Sequence, residues 1–379
     1  MVGLLAAAAL ALVVVVLAVG PLGGGPLSGG PRGGVATGGP PSAASSSSVA
    51  PTSASAWKVL AASDTAGAVW SPDGRWLLVW DRVTNGTAAD RHVSLDDAAG
   101  NRIRTYEGEY PLWLDARSFV ITRAGRSYLG TLEAGRLTLI QPTFPSGAPV
   151  SSGHGALAYE TTGALDASAH FVVWTATGGT TTPRPGVPAD WSHDGTKLAI
   201  WHWTSGSGPQ SSGWLEVVSW PGMRPLAALH ADLGLPFALF DPSDRYVFDA
   251  GHVLDLATGT VTTPIAVGIP GLPAWNNAGQ LVVPSLVDGS VTTYDIHGVR
   301  RSVVSDVGDS ASASADGSLV VIWFNSQQRP IVLLGRGGQQ SIPVPGPVQP
   351  PDPTLSPDGS GLIVTCAVDG PQEALLLVR

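Results

Sequence analysis

The sequence predicts an all-β fold assembled from repeated units of about 40 residues, and three observations support that prediction. The composition is rich in turn formers, with 48 Gly and 32 Pro among 379 residues, while 44% of the residues are hydrophobic and 13% are charged. The 13 Trp residues suit sheets that bury aromatic rings between them. The third observation is a strand–turn–strand phrase that returns eight times, a regularity that neither a helical bundle nor a disordered chain would show.

The repeated phrase is clearest at residues 70–78, where Trp-Ser-Pro-Asp-Gly precedes an apolar strand. Further copies lie at 191–199 and 355–364, weaker ones at 275–283 and 313–321, two without the turn glycine at 113–117 and 240–246, and an eroded one at 151–159. The residues at the turn-glycine position are Gly74, Ala116, Gly155, Gly195, Asp244, Gly279, Gly317 and Gly359. This spacing, with several short strands in each unit, is typical of a β-propeller.

The two ends of the chain are predicted to complete one blade together. After the last copy of the phrase only two strand-like segments remain, at 361–367 and 373–378, whereas the segment 57–62 precedes the first copy and has no blade of its own. That segment would supply the outer strand of the last blade and so remove the open sheet edges. The prediction is an eight-bladed β-propeller, with seven blades as the alternative if the copy around Gly155 is accidental.

The Trp-Ser-Pro-Asp-Gly phrase followed by an apolar strand resembles the repeat of TolB-type, WD-like propellers, and the resemblance covers residues 66–379. It implies the fold and leaves the function open, because such propellers serve as scaffolds, sensors and accessory domains.

Two sets of repeat residues are expected to be structural. A short carboxylate before a turn glycine accepts backbone N–H groups, so these aspartates should hold turns: Asp73, Asp194, Asp316 and Asp358. Aromatic residues at the first position of the phrase should wedge between neighbouring blades: Trp70, Trp113, Trp191, Phe240 and Trp275.

The first 56 residues predict export. Residues 1–20 are apolar and long enough, as a helix, to approach the bilayer's hydrocarbon thickness of roughly 30 Å. An uncleaved signal-anchor and a cleaved signal peptide both fit. Residues 21–56 consist mainly of Gly, Pro, Ser and Ala, which predicts a disordered linker before a propeller at 57–379. We expect an extracytoplasmic protein anchored in the membrane by this helix, with secretion as the alternative.

Charge and motifs favour binding over catalysis. A net charge of −9 argues against nucleic acid as a partner, and Cys366 is the only cysteine, which excludes an intrachain disulfide and a cysteine-based metal site. The sequence contains no nucleophile elbow, zinc-binding histidine pair or phosphate loop. We therefore expect a monomer without cofactor, metal or catalytic activity. The alternative is a glycan-active enzyme of glycosidase or sialidase type, with carboxylates and arginines in the funnel.

Blade four departs from the repeat, because a polar loop at 204–213 separates Trp201-His202-Trp203 from Trp214. Trp201 and Trp203 should point to one side of their strand and His202 to the other. We expect Trp201 between blades, and Trp203 partly covered at the surface beside Trp214. The candidate partner-binding residues are Trp203, Trp214, His202, Arg82, Arg126 and Arg329. A protein or a cell-envelope glycan is the expected partner, and a tolerated insertion over packed tryptophans is the alternative.

Overall fold

The computed structural model describes residues 57–63, 65–82, 91–140, 149–162, 166–205, 212–233, 237–265, 272–324, 330–335, 337–344, 352–367 and 372–378. In these ranges the regular structure is β-strand throughout. None of the described residues belongs to a helix that is long and apolar enough to cross a membrane. The predicted signal-anchor and linker, residues 1–56, lie outside the described residues.

The strands form eight sheets that follow one another along the chain as blades, and within a blade the chain runs from the inner to the outer strand. The first strand, β1 (Lys58–Ser63), belongs to the last blade. Blade one contains β2 (Gly67–Trp70), β3 (Trp76–Arg82), β4 (Arg91–Asp97) and β5 (Arg102–Glu107). Blade two contains β6 (Glu109–Trp113), β7 (Ser118–Arg123), β8 (Arg126–Thr131) and β9 (Thr138–Leu139). Blade three contains β10 (Val150–Ser151), β11 (Ala156–Glu160), β12 (His170–Thr175) and β13 (Gly179–Thr180), and β14 (Arg184–Pro185) also pairs with β12.

The second half of the chain repeats the same order. Blade four contains β15 (Val187–Trp191), β16 (Lys197–Ser205), β17 (Ser212–Ser219) and β18 (Arg224–Leu233). Blade five contains β19 (Leu239–Phe240), β20 (Tyr246–Asp249), β21 (His252–Asp255) and β22 (Val261–Thr262). Blade six contains β23 (Ala274–Trp275), β24 (Leu281–Pro284), β25 (Val291–Tyr294) and β26 (Arg300–Val304). Blade seven contains β27 (Ser310–Ala313), β28 (Leu319–Trp323), β29 (Ile331–Gly335) and β30 (Gly338–Ile342), and blade eight contains β31 (Asp352–Leu355), β32 (Gly361–Ala367) and β33 (Gln372–Val378), with β1 outermost.

The predicted closure by the N-terminal strand is confirmed. Strand β1 runs antiparallel to β33, with Lys58 opposite Leu376 and Ser63 opposite Gln372. Leu60 of β1 is buried in a cluster that contains residues of blades eight and one, among them Trp70. The eroded copy around Gly155 forms a blade of its own, so the ring has eight blades rather than seven.

The repeated phrase has a structural role, as predicted. In the clearest turns the Ser hydroxyl donates to the Asp carboxylate at 2.6–2.7 Å, and the same carboxylate accepts the backbone N–H two residues later. Burial alone would raise the pKa of Asp194, but hydrogen bonds from Ser192 and Thr196 outweigh it and hold the pKa below its ordinary value. These aspartates therefore work as turn caps.

The aromatic residues of the phrase lie at the interfaces between neighbouring blades, which we call seams. In three blades the indole nitrogen also donates to a carbonyl of the preceding blade: Trp113 to Val69 at 3.2 Å, Trp191 to Val150 at 3.0 Å and Trp275 to Leu239 at 3.0 Å. Each buried aromatic side chain stabilises the closed propeller by a few kcal/mol, roughly. We call this repeat position the wedge position.

Candidate functional site on blade four

Strand pairing divides the aromatic residues of blade four between two faces of the sheet. Strands β16 and β17 are antiparallel, with His202 opposite Trp214 and Trp203 opposite Gly213. Residues that lie opposite each other across an antiparallel pair project to the same face, and the face alternates along each strand. His202 and Trp214 therefore share one face, and Trp201 and Trp203 share the other.

The face that carries Trp201 and Trp203 forms the seam with blade five. Trp201 is 0% exposed and Trp203 is 7% exposed, and both belong to a cluster with Phe240, Val247 and other residues of blade five. Their rings meet edge to face, with centroids 5.7 Å apart. Trp201 lies over Gly213, where an added Cβ atom would collide with the indole ring. The prediction that Trp201 lies between blades is confirmed.

The prediction that Trp203 reaches the surface beside Trp214 is wrong. Trp203 is buried, and it lies on the opposite face of the sheet from Trp214. The absence of a side chain at Gly213 leaves room for the indole of Trp201 to lie against the strand, and blade five covers both tryptophans. Burial of the Trp203 indole beside that of Trp201 removes further apolar area from water and so stabilises the fold. This gain explains why Trp203 is covered even though it lies near the end of its strand.

The other face carries a stack of three rings that spans three strands. His202 on β16 stacks on Trp214 of β17, with centroids 4.2 Å apart and planes 15° apart. Trp214 in turn stacks on His230 of β18, at 4.8 Å and 29°. His202 and Trp214 are partly exposed, and His230 is exposed. We call these three residues the imidazole–indole ladder.

A carboxylate fixes one end of the ladder. Oε2 of Glu216 lies 3.0 Å from Nε2 of His202, and both side chains are largely covered. This contact orients the imidazole and leaves its other ring nitrogen for a different partner. Because His202 and His230 flank Trp214 on both sides, the indole presents its edge rather than a free face. The ladder therefore offers ring edges with N–H groups beside one carboxylate, an arrangement suited to hydrogen-bonded recognition.

Sequence reasoning found His202 and Trp214 and missed His230 and Glu216. Alternation along β17 places Glu216 on the same face as Trp214, so Glu216 could have been predicted from the sequence. His230 was not, because the pairing of β17 with β18 shifts register twice, between Gly213 and Leu215 and between Val217 and Val218. Such bulges cannot be counted from the sequence.

The remaining predicted residues do not join the ladder. Arg126 is exposed and begins β8 of blade two, where it lies opposite Arg123 across a tight turn. The backbone of Arg82 pairs with Arg91 in blade one. Arg329 and residues 206–211 of the blade-four loop lie outside the described residues. Among the predicted residues whose side chains are described, only His202 and Trp214 come together.

A second polar group lies where blades one and two meet. Nη1 of Arg91 contacts Oε1 of Glu109 at 2.8 Å, and Nη2 of Arg123 contacts Oε2 of Glu107 at 2.6 Å. The backbone N–H of Gly108, between the two glutamates, donates to the carbonyl of Arg91. Each of these carboxylates is thus held by an arginine. In the described ranges no group of three or more His, Cys, Asp or Glu residues could hold a metal ion.

Comparison with known proteins supports the fold and goes no further. No family model matches the sequence, and no curated protein matches it. Among 819 solved chains that match is one described as a crystal structure of the eukaryotic initiation factor, with a TM-score of 0.50 and 12% identity over 80% of this chain and 81% of that chain. Identity this low supports the fold alone. Together with the strand pairing, it supports an eight-bladed β-propeller.

Proposed function

We propose that this protein is an exported, membrane-tethered propeller of TolB type that binds a protein or a cell-envelope glycan through blade four and performs no chemistry. The observation that carries the proposal is the partly exposed stack of His202, Trp214 and His230. The propeller itself is compatible with a binding scaffold, because its strands hold surface residues in fixed positions.

The ladder has the properties of a recognition surface. Its rings are amphipathic and lose little conformational entropy on binding, because stacking and the contact with Glu216 already fix them. They lie on strands, next to the polar loop that interrupts the repeat. Large aromatic side chains of this kind supply much of the binding energy at interfaces.

The test is binding of the propeller, residues 57–379, to an envelope extract, scored by its dependence on the ladder. Trp214→Ala and His230→Ala should each weaken capture of the same component by about 10- to 100-fold, as interface anchors do. His297→Ala is the matched control, because it removes an exposed imidazole from a turn of blade six. Treating the captured component with protease or with glycosidases then separates a protein partner from a glycan. Capture that is equal in all variants would contradict the proposal.

The tether is tested separately. The full chain should fractionate with membranes, and protease acting within residues 21–56 should release the propeller. Recovery of the full-length chain from the cytosol would contradict both the anchor and the signal-peptide interpretations.

A glycan-active enzyme is the second candidate, favoured by the two arginine–glutamate pairs where blades one and two meet. Glycosidases of most families use two carboxyl groups on either side of the scissile bond. A panel of chromogenic glycosides tests it: turnover that is lost in Glu109→Gln would support the enzyme and displace the binding proposal as the main function.

A further inference from the structure

One position of the repeat is occupied differently in blade five. In each blade, the residue at the wedge position pairs with a residue on the second strand. The side chain two places further along that second strand is buried at the seam with the preceding blade. These residues are Val79, Ile121, Tyr159, Ile200, Asp249, Val283, Ile322 and Val364. Seven blades place a hydrophobic or aromatic side chain there, and blade five alone places a carboxyl group in the seam.

Asp249 has no compensating partner in the part of the chain that is described. It is 1% exposed, and its Oδ2 atom is buried without a hydrogen bond. The indole nitrogens of Trp201 and Trp203, in the same seam, are also buried without a partner. Buried polar atoms are paired in the great majority of cases, so these three atoms leave this end of the seam with little polar compensation.

The groups that face Asp249 are almost all apolar. The residues of β16 in this seam are Ala199, Trp201 and Trp203, and those of β18 include Leu229. The titratable neighbour is His252, its cross-strand partner on β21, whose imidazole contacts the hydroxyl of Thr263 at 3.0 Å. At the opposite end of the seam lie Asp190, near the end of β15, whose pKa burial raises to about 7, and the turn residues His193, Asp241 and Asp244.

The seam also lacks a fastening that other seams have. At the wedge position of blade five stands Phe240, whose ring has no N–H group, whereas Trp191 and Trp275 bind the preceding blade through their indole nitrogens. The backbone N–H of Phe240 donates instead to the carboxyl group of Asp190 on blade four. The seam around Asp249 is therefore held mainly by apolar contact at this end. Apolar contact tolerates a neutral carboxyl group far better than an ionised one.

We propose that Asp249 makes the seam between blades four and five a proton-dependent opening point of the ring: the seam stays closed while the carboxyl group is neutral and opens when it ionises. Burial raises the pKa of Asp249 to about 8, so the change falls near neutral pH. Opening admits water to the carboxylate and exposes Trp201 and Trp203. Because His202 lies between these tryptophans on β16, opening would also loosen the ladder, a consequence that rests on the proposed function.

Hydrogen exchange of the whole propeller tests the opening without any ligand. The protection of β16 and β20 should be measured from pH 6 to pH 9, after correction for the intrinsic pH dependence of exchange. Since the closed state retains a proton that the open state loses, opening should increase by up to about tenfold per pH unit below roughly pH 8 and level off above it. Asp249→Asn keeps the size of the side chain and should abolish this increase.

Two further variants keep the outcome decisive. Asp249→Val restores the hydrophobic residue type of the other blades and should also remove the pH dependence. Asp288→Asn is the control, because it changes an exposed aspartate of blade six. Hydrogen bonds lower the pKa of Asp288 to about 2, so this variant should leave the pH dependence intact. An unchanged pH dependence in Asp249→Asn overturns the proposal. Trp214→Ala should retain the pH-dependent opening. The experiment on the seam therefore gives its result independently of whether the ladder binds a partner.

Discussion

The two seams of blade four are held by different chemistry. Toward blade three, the indole of Trp191 donates to the carbonyl of Val150 and meets the ring of Trp220 edge to face at 5.8 Å. Toward blade five, the turn is held by Asp244, whose carboxylate accepts the backbone N–H groups of His193 and Asp194 and contacts Nδ1 of His193 at 2.9 Å. At the turn end, the first seam is held by a neutral hydrogen bond and the second by a carboxylate.

The difference shows that the blade-five copy of the repeat is altered rather than merely eroded. Asp244 stands at the turn-glycine position and adopts the same left-handed conformation, with φ of 56°. That conformation costs a non-glycine residue about 1–2 kcal/mol, which is offset by the hydrogen bonds that the Asp244 carboxylate accepts from blade four. Loss of both Trp and Gly from one copy thus coincides with a new carboxylate contact at the seam where Asp249 is also buried.

The substitution Asp249→Val should change the stability of the seam between blades four and five more than any other substitution considered for the two seams. Because the pKa of Asp249 is raised from 3.8 to about 8, its ionisation destabilises the folded state increasingly as the pH rises between these values, and below the lower value it costs nothing. At about pH 7.5 the substitution should raise the free energy of unfolding by up to about 5 kcal/mol, measured by urea denaturation. The pH-dependent part of the gain should disappear near pH 4, which leaves the constant contribution of the restored hydrophobic side chain; an equal gain at both pH values would point to packing alone.

The substitution Trp191→Phe should weaken the seam between blades three and four. The change keeps an aromatic ring but leaves the carbonyl of Val150 without the indole N–H, which should cost about 1–3 kcal/mol. Urea denaturation at pH 5.5 and pH 8 should give the same loss, because no charge is involved. A loss that varies with pH would mean that the two seams are coupled.

A smaller effect is expected from Asp244→Asn, about 1 kcal/mol near pH 6. Burial lowers the pKa of His193, but the hydrogen bond to Asp244 and nearby carboxylates outweigh it, so the pKa is raised overall from 6.5. The stabilisation by this pair is therefore complete below the ordinary histidine value and is lost as the pH rises through the raised value. Nuclear magnetic resonance titration of His193 should show its pKa falling in the variant, while an unchanged titration would remove Asp244 as the cause.

The smallest stability effect should come from the ladder. Trp214→Phe retains a ring between His202 and His230 and should change the free energy of unfolding by less than about 1 kcal/mol, because Trp214 is partly exposed and outside both seams. Thermal melting measures it. A larger loss would mean that the ladder is a structural part of blade four, and this would weaken its assignment to binding.

The sequence predicts what depends on period and alternation. The copies of the phrase located eight blades, the unpaired segment before Gly67 located the closing strand, and alternation placed Trp201 and His202 on different faces. It does not predict what depends on register or on the neighbouring blade. Trp203 is buried because blade five covers it, and His230 joins the ladder through bulges that no pattern reveals.

The pairing of β1 with β33 also has a consequence for how the fold is reached. Lys58 and Leu376 are separated by more than 300 residues of sequence, so this contact closes a very long loop, whereas the strands within blades one to seven pair with near neighbours. Local hairpins form quickly and long-range pairings form late. We expect the blades to assemble in the order of synthesis and the ring to lock only when β33 meets β1. Until then β33 has an unpaired edge and the seam between blades eight and one is uncovered, which makes the interval before closure the time of greatest exposure to aggregation and proteolysis.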